Sequence, residues 1–272
     1  MSTFRPLEGH AALVTGANCG IGAATARALA AGGARVLLTY LRMNDAEDPG
    51  IPATYRENRA STADAQVEAI RAAGGSAIGC EADLGDAQAP RRLFELAEAE
   101  LGPVDILVNN ASGWLADTFL PKDRDSMGRA LSGVSAATHD TQFAVDARGS
   151  ALMIAEFARR LIERGSRWGR ILGLTSGGPL GFPGEVSYGA SKAALENYTM
   201  SAAFELAPYG VTANIVYPPV TDTGWVTDAV RDHVKQRPDL LHIVEPEDVA
   251  ETIAYLCTDG GRFITANKIH LR

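Results

Sequence analysis

Short apolar runs alternate with longer amphipathic stretches along the chain, and glycine or proline marks many of the joins. Residues 10–15 (HAALVT) make an apolar run suited to a strand buried on both faces. The alanine-rich stretch 23–31 reads as a helix closed by Gly32 and Gly33, and residues 35–40 read as a second strand. The same alternation predicts a helix over 61–73 and a strand over 76–80, then a helix over 87–101 and a strand over 104–109. A long helix over 138–164 precedes a strand at 170–175, and a helix over 187–207 precedes a strand at 211–217. A helix over 246–258 leads to a last strand at 268–271. Such alternation implies right-handed crossovers and one parallel sheet with helices on both faces. The expected class is α/β, a doubly wound parallel sheet, with residues 1–272 as a single domain.

The turn after the first strand is rich in glycine, TGANCGIG from Thr15 to Gly22. Gly16 permits the tight turn, Gly20 lets backbone approach a pyrophosphate, and Gly22 lets the helix pack close to the sheet. Helix N–H groups are left aimed at anionic oxygens, so the unit points to dinucleotide binding. Ligands of open parallel sheets gather at the carboxyl ends of strands, where Gly16, Asn109, Ser176 and Pro218 all fall.

Composition narrows the partners. With 272 residues, 46% hydrophobic and 21% charged, one α/β domain can bury a sizeable core. A formal net charge of −8 without a long basic run argues against nucleic acid or an anionic membrane surface. No stretch reaches the length of a membrane span and the N-terminus lacks a charged region followed by an apolar one, so the expected location is cytoplasmic. Three cysteines, Cys19, Cys80 and Cys257, have no paired spacing and suit a reducing compartment. Cys19 reads as a small residue filling a loop position. Five scattered histidines form no ligand pattern, and no metal is expected.

The densest chemistry lies in SYGASK. Tyr188 and Lys192, four residues apart, share one helix face, where an ammonium can lower a phenol pKa and make it a proton donor to a carbonyl oxygen near neutral pH. Ser176 ends the preceding apolar strand and offers a hydroxyl to orient that oxygen, whereas strand alternation turns Thr175 to the other face. Together with TGANCGIG, Asp83 in EADL and VNNA at residues 108–111, these residues make the chain resemble the short-chain dehydrogenase/reductase family over about residues 9–265. The resemblance implies a Rossmann-type fold and an active site of Ser176, Tyr188 and Lys192, with Asp146 where the family places an asparagine. It implies cofactor contacts from Gly16, Asn18, Cys19, Gly20, Ile21 and Gly22, from Asp83 and Leu84 beside the adenine, and from Asn110, Ala111, Tyr188, Lys192, Pro218, Val220 and Thr223. The implied reaction is hydride transfer between a nicotinamide and a carbonyl or alcohol carbon, with Tyr188 giving the proton and Lys192 steadying tyrosinate and ribose.

Three positions depart from the family pattern. Asp146 replaces the asparagine, Ser112 stands where NNAG has glycine, and Pro219 in YPPVTDT follows Pro218 where Pro-Gly is usual. Asp146 suffices if a backbone carbonyl holds a relay water, and serves poorly if an amide N–H must brace the helix. At the end of the second strand Tyr40 replaces a 2′-hydroxyl-binding acid and Arg42 follows, so NADP(H) is favoured over NAD(H). Two segments interrupt the alternation. Residues 41–60 carry Pro49, Gly50 and Pro52 and predict a surface loop beside the adenosine, while residues 112–137, with Trp114, Phe119 and Met127, should lie over the nicotinamide end. Trp114, Phe182, Tyr217 and Trp225 are candidate pocket residues for a small-molecule carbonyl or alcohol substrate. Alanine-rich helices near 149–164 and 191–207 resemble the family's packing helices and imply a homotetramer or homodimer. A pteridine or enoyl-type reductase, and a catalytically silent NADP(H)-binding sensor or scaffold, are the alternatives.

Overall fold

The computed structural model describes residues 5–177, 181–237 and 242–272. In chain order its strands are β1 (Ala11–Thr15), β2 (Arg35–Tyr40), β3 (Ser76–Glu81), β4 (Val104–Asn109), β5 (Asp117–Thr118), β6 (Ser132–Gly133), β7 (Gly169–Leu174), β8 (Val211–Tyr217) and β9 (Lys268–His270). Seven of them form one sheet in the order β3-β2-β1-β4-β7-β8-β9, and each neighbouring pair is parallel. The short strands β5 and β6 pair with each other. The helices are α1 (Gly20–Ala31), α2 (Ala53–Ala60), α3 (Asp64–Ala72), α4 (Ala89–Leu101), α5 (Ala136–Phe143), α6 (Ser150–Glu163), α7 (Val186–Glu205), α8 (Asp228–Lys235) and α9 (Pro246–Cys257). This is the doubly wound α/β architecture that the alternation predicts.

Side chains alternate across each strand, which is why both faces of the sheet need cover. Ala12 and Val14 of β1 and Val36 and Leu38 of β2 join Leu29 of α1, Ile70 of α3 and Ile253 of α9 in one core. Ala11, Leu13 and Leu37, pointing the other way, join Phe94 of α4, Met153 and Phe157 of α6, and Ala203 of α7 in the second. Strand order reverses between β1 and β4, whose carboxyl ends therefore open a crevice between the two helix layers.

Three elements differ from expectation. The single helix predicted over 138–164 is interrupted by a π-helical stretch at Ala144–Gly149, between α5 and α6. Apolar periodicity does not register such a stretch, because it widens one turn without changing the residue types around it. Residues 41–60 are not wholly loop: α2 occupies their second half, although it buries no residue completely. The helix α8, capped by the Thr227 side chain accepting from Val230 N, lies where no element is expected.

Phe157 is fully buried and meets Phe94 edge-on with ring centroids 6.4 Å apart. Truncation of Phe157 to alanine should lower unfolding stability by roughly 3–5 kcal/mol, since a cavity adds to the lost transfer energy. Chemical denaturation followed by circular dichroism measures it; a loss below about 1 kcal/mol would mean that the helix layer collapses into the gap.

Candidate active site

The ends of β1 and β4 are tied together before any side chain of the site is placed. Thr15 Oγ1 accepts from the backbone N–H of both Asn110 and Ala111, at 2.9 Å each. In return Asn110 Nδ2 donates to the carbonyls of Thr15 and Gly16, also at 2.9 Å. The glycine turn is thereby pinned to the β4 end. Gly16 has φ +64°, and a Cβ there would lie 2.8 Å from Ala111 Cα. A Cβ on Gly22 would collide with the Gly16 carbonyl oxygen, so the start of α1 reaches this close only as glycine. The backbone N–H groups at the head of α1 thus border an open cradle, whose shape suits a pyrophosphate.

Of the other residues implied as cofactor contacts, Asn18, Cys19 and Thr223 lie at that turn, and Tyr40, Arg42, Asp83 and Leu84 lie at or just after the ends of β2 and β3. Asn18 Nδ2 donates to the carbonyls of Asn58 and Ser61 at 3.0 Å each, which ties the turn to α2. Cys19 precedes α1, and burial holds its thiol above the usual range, with Arg59 opposing, so it stays protonated. Thr223 lies over Gly20, where an added Cβ would come within 2.9 Å of its Cγ2. The Asp83 carboxylate accepts from Gly85 N at 2.7 Å, and Leu84 is buried against Gly149. Tyr40 ends β2, with its carbonyl accepting from Ala82 N. Arg42 is exposed and ion-paired with Glu81 at 2.8 Å, so this cation shares its charge with a carboxylate at the end of β3.

A cavity of about 590 Å³ opens beyond the cradle. Ile21, Asn110, Pro218, Val220 and Thr223 line it together with Ser176, Tyr188 and Lys192. The four expected pocket residues, Trp114, Phe182, Tyr217 and Trp225, all border it. Thr175, expected to face away, also borders the cavity, although its hydroxyl donates to Glu196 at 2.5 Å. Of the aromatic residues expected from 112–137, Trp114 reaches the cavity whereas Phe119 is 78% exposed. Residues 41–60 reach further than the adenosine end, because Gly50, Ile51, Pro52, Tyr55 and Arg59 also line the cavity. Among the described residues no group of three or more His, Cys, Asp or Glu could hold a metal, and no helix is long and apolar enough to cross a membrane.

The Ser176 side chain lies beside the Tyr188 phenol and favours its ionised form. The phenol pKa is held above the ordinary value, first by burial and then by the Asp146 and Glu185 carboxylates, all of which disfavour tyrosinate. The lowering expected from Lys192 is not what this arrangement produces. Lys192 Nζ lies 5.6 Å from the centre of the tyrosine ring but 2.8 Å from Asp146 Oδ1, and both members of that ion pair are buried. Asp146 stands within the π-helical stretch, and its second oxygen accepts from Ser112 Oγ at 3.2 Å, Gly113 N at 2.9 Å and Gln142 Nε2 at 2.6 Å. Two of the departures, Ser112 and Asp146, are therefore partners in one network.

Glu185, Arg129, Tyr55 and Arg59 are among the charged or polar residues at the cavity that escape the reading of the sequence. Glu185 accepts from Trp114 Nε1 at 3.1 Å and pairs with Arg129 at 2.8 Å. Burial pushes its carboxyl up, against the pull of Arg129. Arg59 pairs with Asp45 at 2.6 Å and lies 5.6 Å from the Tyr55 ring centre. Glu185 is three residues before Tyr188, which is a usable signal; Tyr55, Arg59 and Arg129 come from segments without periodicity.

Comparison with known proteins agrees with this geometry. A family model described as enoyl-(acyl carrier protein) reductase matches residues 16–271. An uncharacterized oxidoreductase of Bacillus subtilis, YjdA, is 34% identical over 265 residues, covering 95% of this chain and 94% of the relative. A 3-oxoacyl-[acyl-carrier-protein] reductase of Synechocystis is 33% identical over 267 residues, 97% of this chain and 96% of the relative. The crystal structure of a short chain dehydrogenase from Burkholderia cenocepacia in complex with NADP superposes with a TM-score of 0.80 at 31% identity, covering 98% of this chain and 97% of that one. With the glycine cradle, the parallel sheet and these relatives in agreement, the chain belongs to the short-chain dehydrogenase/reductase family, the NAD(P)-dependent oxidoreductases that act on C=O and CH–OH groups.

Proposed function

We propose that this protein reduces the carbonyl group of a small or medium organic molecule with NADP(H), Tyr188 giving the proton. The observation that carries the reading is the meeting of Ser176, Tyr188 and Lys192, the last two one helical turn apart on α7, at one cavity beside the glycine cradle. When bound, the nicotinamide supplies the hydride. The chain's part is to hold the carbonyl oxygen between the Ser176 and Tyr188 hydroxyls and to neutralise the alkoxide as it forms. Its surroundings keep the phenol protonated at neutral pH, the form in which it can give a proton to the carbonyl oxygen. Lys192 orients the polar groups around the ribose side of the cavity, and Asp146 holds Lys192. Aromatic walls from Trp114, Phe182, Tyr217 and Trp225 suit a substrate with apolar or aromatic surface. Three free cysteines suit a reducing cytoplasm. The outer face of α7, with Tyr198 46% and Phe204 74% exposed, suits packing between copies in a homo-oligomer.

The reading as a silent cofactor binder draws on one observation, the commitment of Lys192 to Asp146. A panel of ketones, keto esters and quinones, followed by NADPH absorbance, separates the two: binding without turnover throughout would leave only the silent binder.

Tyr188→Phe keeps the ring and removes the proton, so turnover of the best substrate in that panel should fall by roughly 10² or more. NADPH affinity should stay within about twofold, because the ring still packs. Near-native turnover would assign the proton to another group.

Asp146→Asn removes a negative charge that raises the Tyr188 pKa and leaves Lys192 unopposed. The tyrosine pKa should therefore fall, moving the alkaline loss of carbonyl reduction, and the matching rise of alcohol oxidation, to lower pH. Breaking a buried pair should also cost roughly 3–5 kcal/mol of stability. A pH–rate profile that stays in place, in a folded variant, speaks against electrostatic coupling of Asp146 to Tyr188.

NADPH should bind more tightly than NADH by calorimetry. Arg42→Ala should weaken NADPH roughly tenfold and spare NADH, since one charge-assisted bond to the 2′-phosphate is lost. Equal loss for both cofactors would place the effect in folding rather than in phosphate recognition.

A further inference from the structure

The first turn of α7 carries Tyr188, yet its own N-cap side chain makes no capping hydrogen bond. Helix N-termini leave N–H groups without intrahelical partners, and this end needs them satisfied because Ser187 is buried. The cap comes from far back in the chain. Asp117, on β5 and fully buried, accepts from Ser187 N at 2.8 Å and from Ser187 Oγ at 2.5 Å. The Glu185 carboxylate, at the N-cap position, is meanwhile held by Arg129 and Trp114. Both sides of the turn are thus gripped by residues 112–137. That segment is fastened in its own right: Asp48 accepts from Ala130 N at 2.7 Å, and Gly50 lies so close to the Gly128–Arg129 backbone that a Cβ would collide with it.

The grip has something to hold against. Gly181 and Gly184, with φ +103° and +82°, lead into α7, and glycine stiffens a backbone least. Among the described residues Asp117 makes no ion pair, so its buried charge is offset only while both Ser187 donors stay in place.

We propose that residues 41–60 and 112–137 form a clamp that fixes the first turn of α7 and so aims the Tyr188 phenol, with Asp117 and Arg129 as positioning residues for proton transfer. The inference rests on the reading of Tyr188 as proton donor. Loss of one grip lets the turn fray, and a displacement of about 1 Å at a reacting group can cost on the order of 10² in rate.

The test uses the whole protein carrying Asp117→Ala, Asp117→Asn, Arg129→Met or Tyr188→Phe, with the best panel substrate and backbone hydrogen exchange. Asp117→Ala should lower kcat by about 10- to 100-fold with the KM for NADPH nearly unchanged. Exchange should quicken in the peptide 182–191 and not in 249–257. Asp117→Asn should recover most of the rate, since its Oδ1 still accepts from Ser187 N and its Nδ2 donates to Ser187 Oγ. Arg129→Met should give the same local exchange and a smaller rate loss, and it serves if Asp117→Ala does not fold. Native kcat in both Asp117→Ala and Arg129→Met, a rate loss without faster exchange at 182–191, or no recovery in Asp117→Asn would each overturn the clamp. Native turnover in Tyr188→Phe would instead overturn the assignment of the proton donor, and the clamp's role in proton transfer with it.

Discussion

Four hydrogen bonds from Asn110 and Ala111 to Thr15 and Gly16 join the ends of β1 and β4, and the site depends on that join. Helix layers pass to opposite faces of the sheet on either side of this point, so nothing in the topology alone keeps the crevice at a set width. The reciprocal exchange fixes it: one hydroxyl takes two N–H groups and one amide gives to two carbonyls. With the width set, Gly16 and Gly22 bring the head of α1 against the β4 end, and the cradle and cavity inherit their spacing from the strands rather than from flexible loops.

The second constraint is the charge distribution behind Tyr188. A buried lysine needs a partner, and here Asp146 supplies it from a π-helical stretch that aims the carboxylate inward. A buried carboxylate needs more than one cation, and Ser112, Gly113 and Gln142 furnish the remaining donors. The hydroxyl at position 112 and the acid at position 146 explain each other in physical terms, since glycine at 112 would leave the carboxylate one donor short. The network also ties the start of 112–137 to the helix that follows it, and so the front of the cavity to its floor.

Much of this was legible from the residues. The strands buried on both faces are continuous apolar runs, and the glycine turn between β1 and α1 is a local feature with a local reason. Ser176, Tyr188 and Lys192 are commonplace at their spacing taken alone, and become recognisable only beside the glycine turn and the other motifs of the chain. What was not legible is non-local. The direction of the Tyr188 pKa depends on Asp146 and Glu185 and on burial, none of which follows from the distance between Tyr188 and Lys192 in the chain. Residues 41–60 look like solvent-facing loop because they lack periodicity and carry prolines; only their seat against Gly128 and Arg129 turns Tyr55 and Arg59 toward the cavity. The break between α5 and α6 leaves no trace in apolar spacing.

The ends of the sheet raise a different matter, that of growth. The strand β9 has three residues, of which Lys268 is paired with Glu196 and His270 lies against Tyr217. A strand so short and so charged is a poor template for another strand, as it offers few free backbone groups and repels like edges. Growth strand by strand has few places to begin on that side, whereas β3 at the opposite edge offers six residues, so the two edges of one sheet differ in how readily they could take another strand.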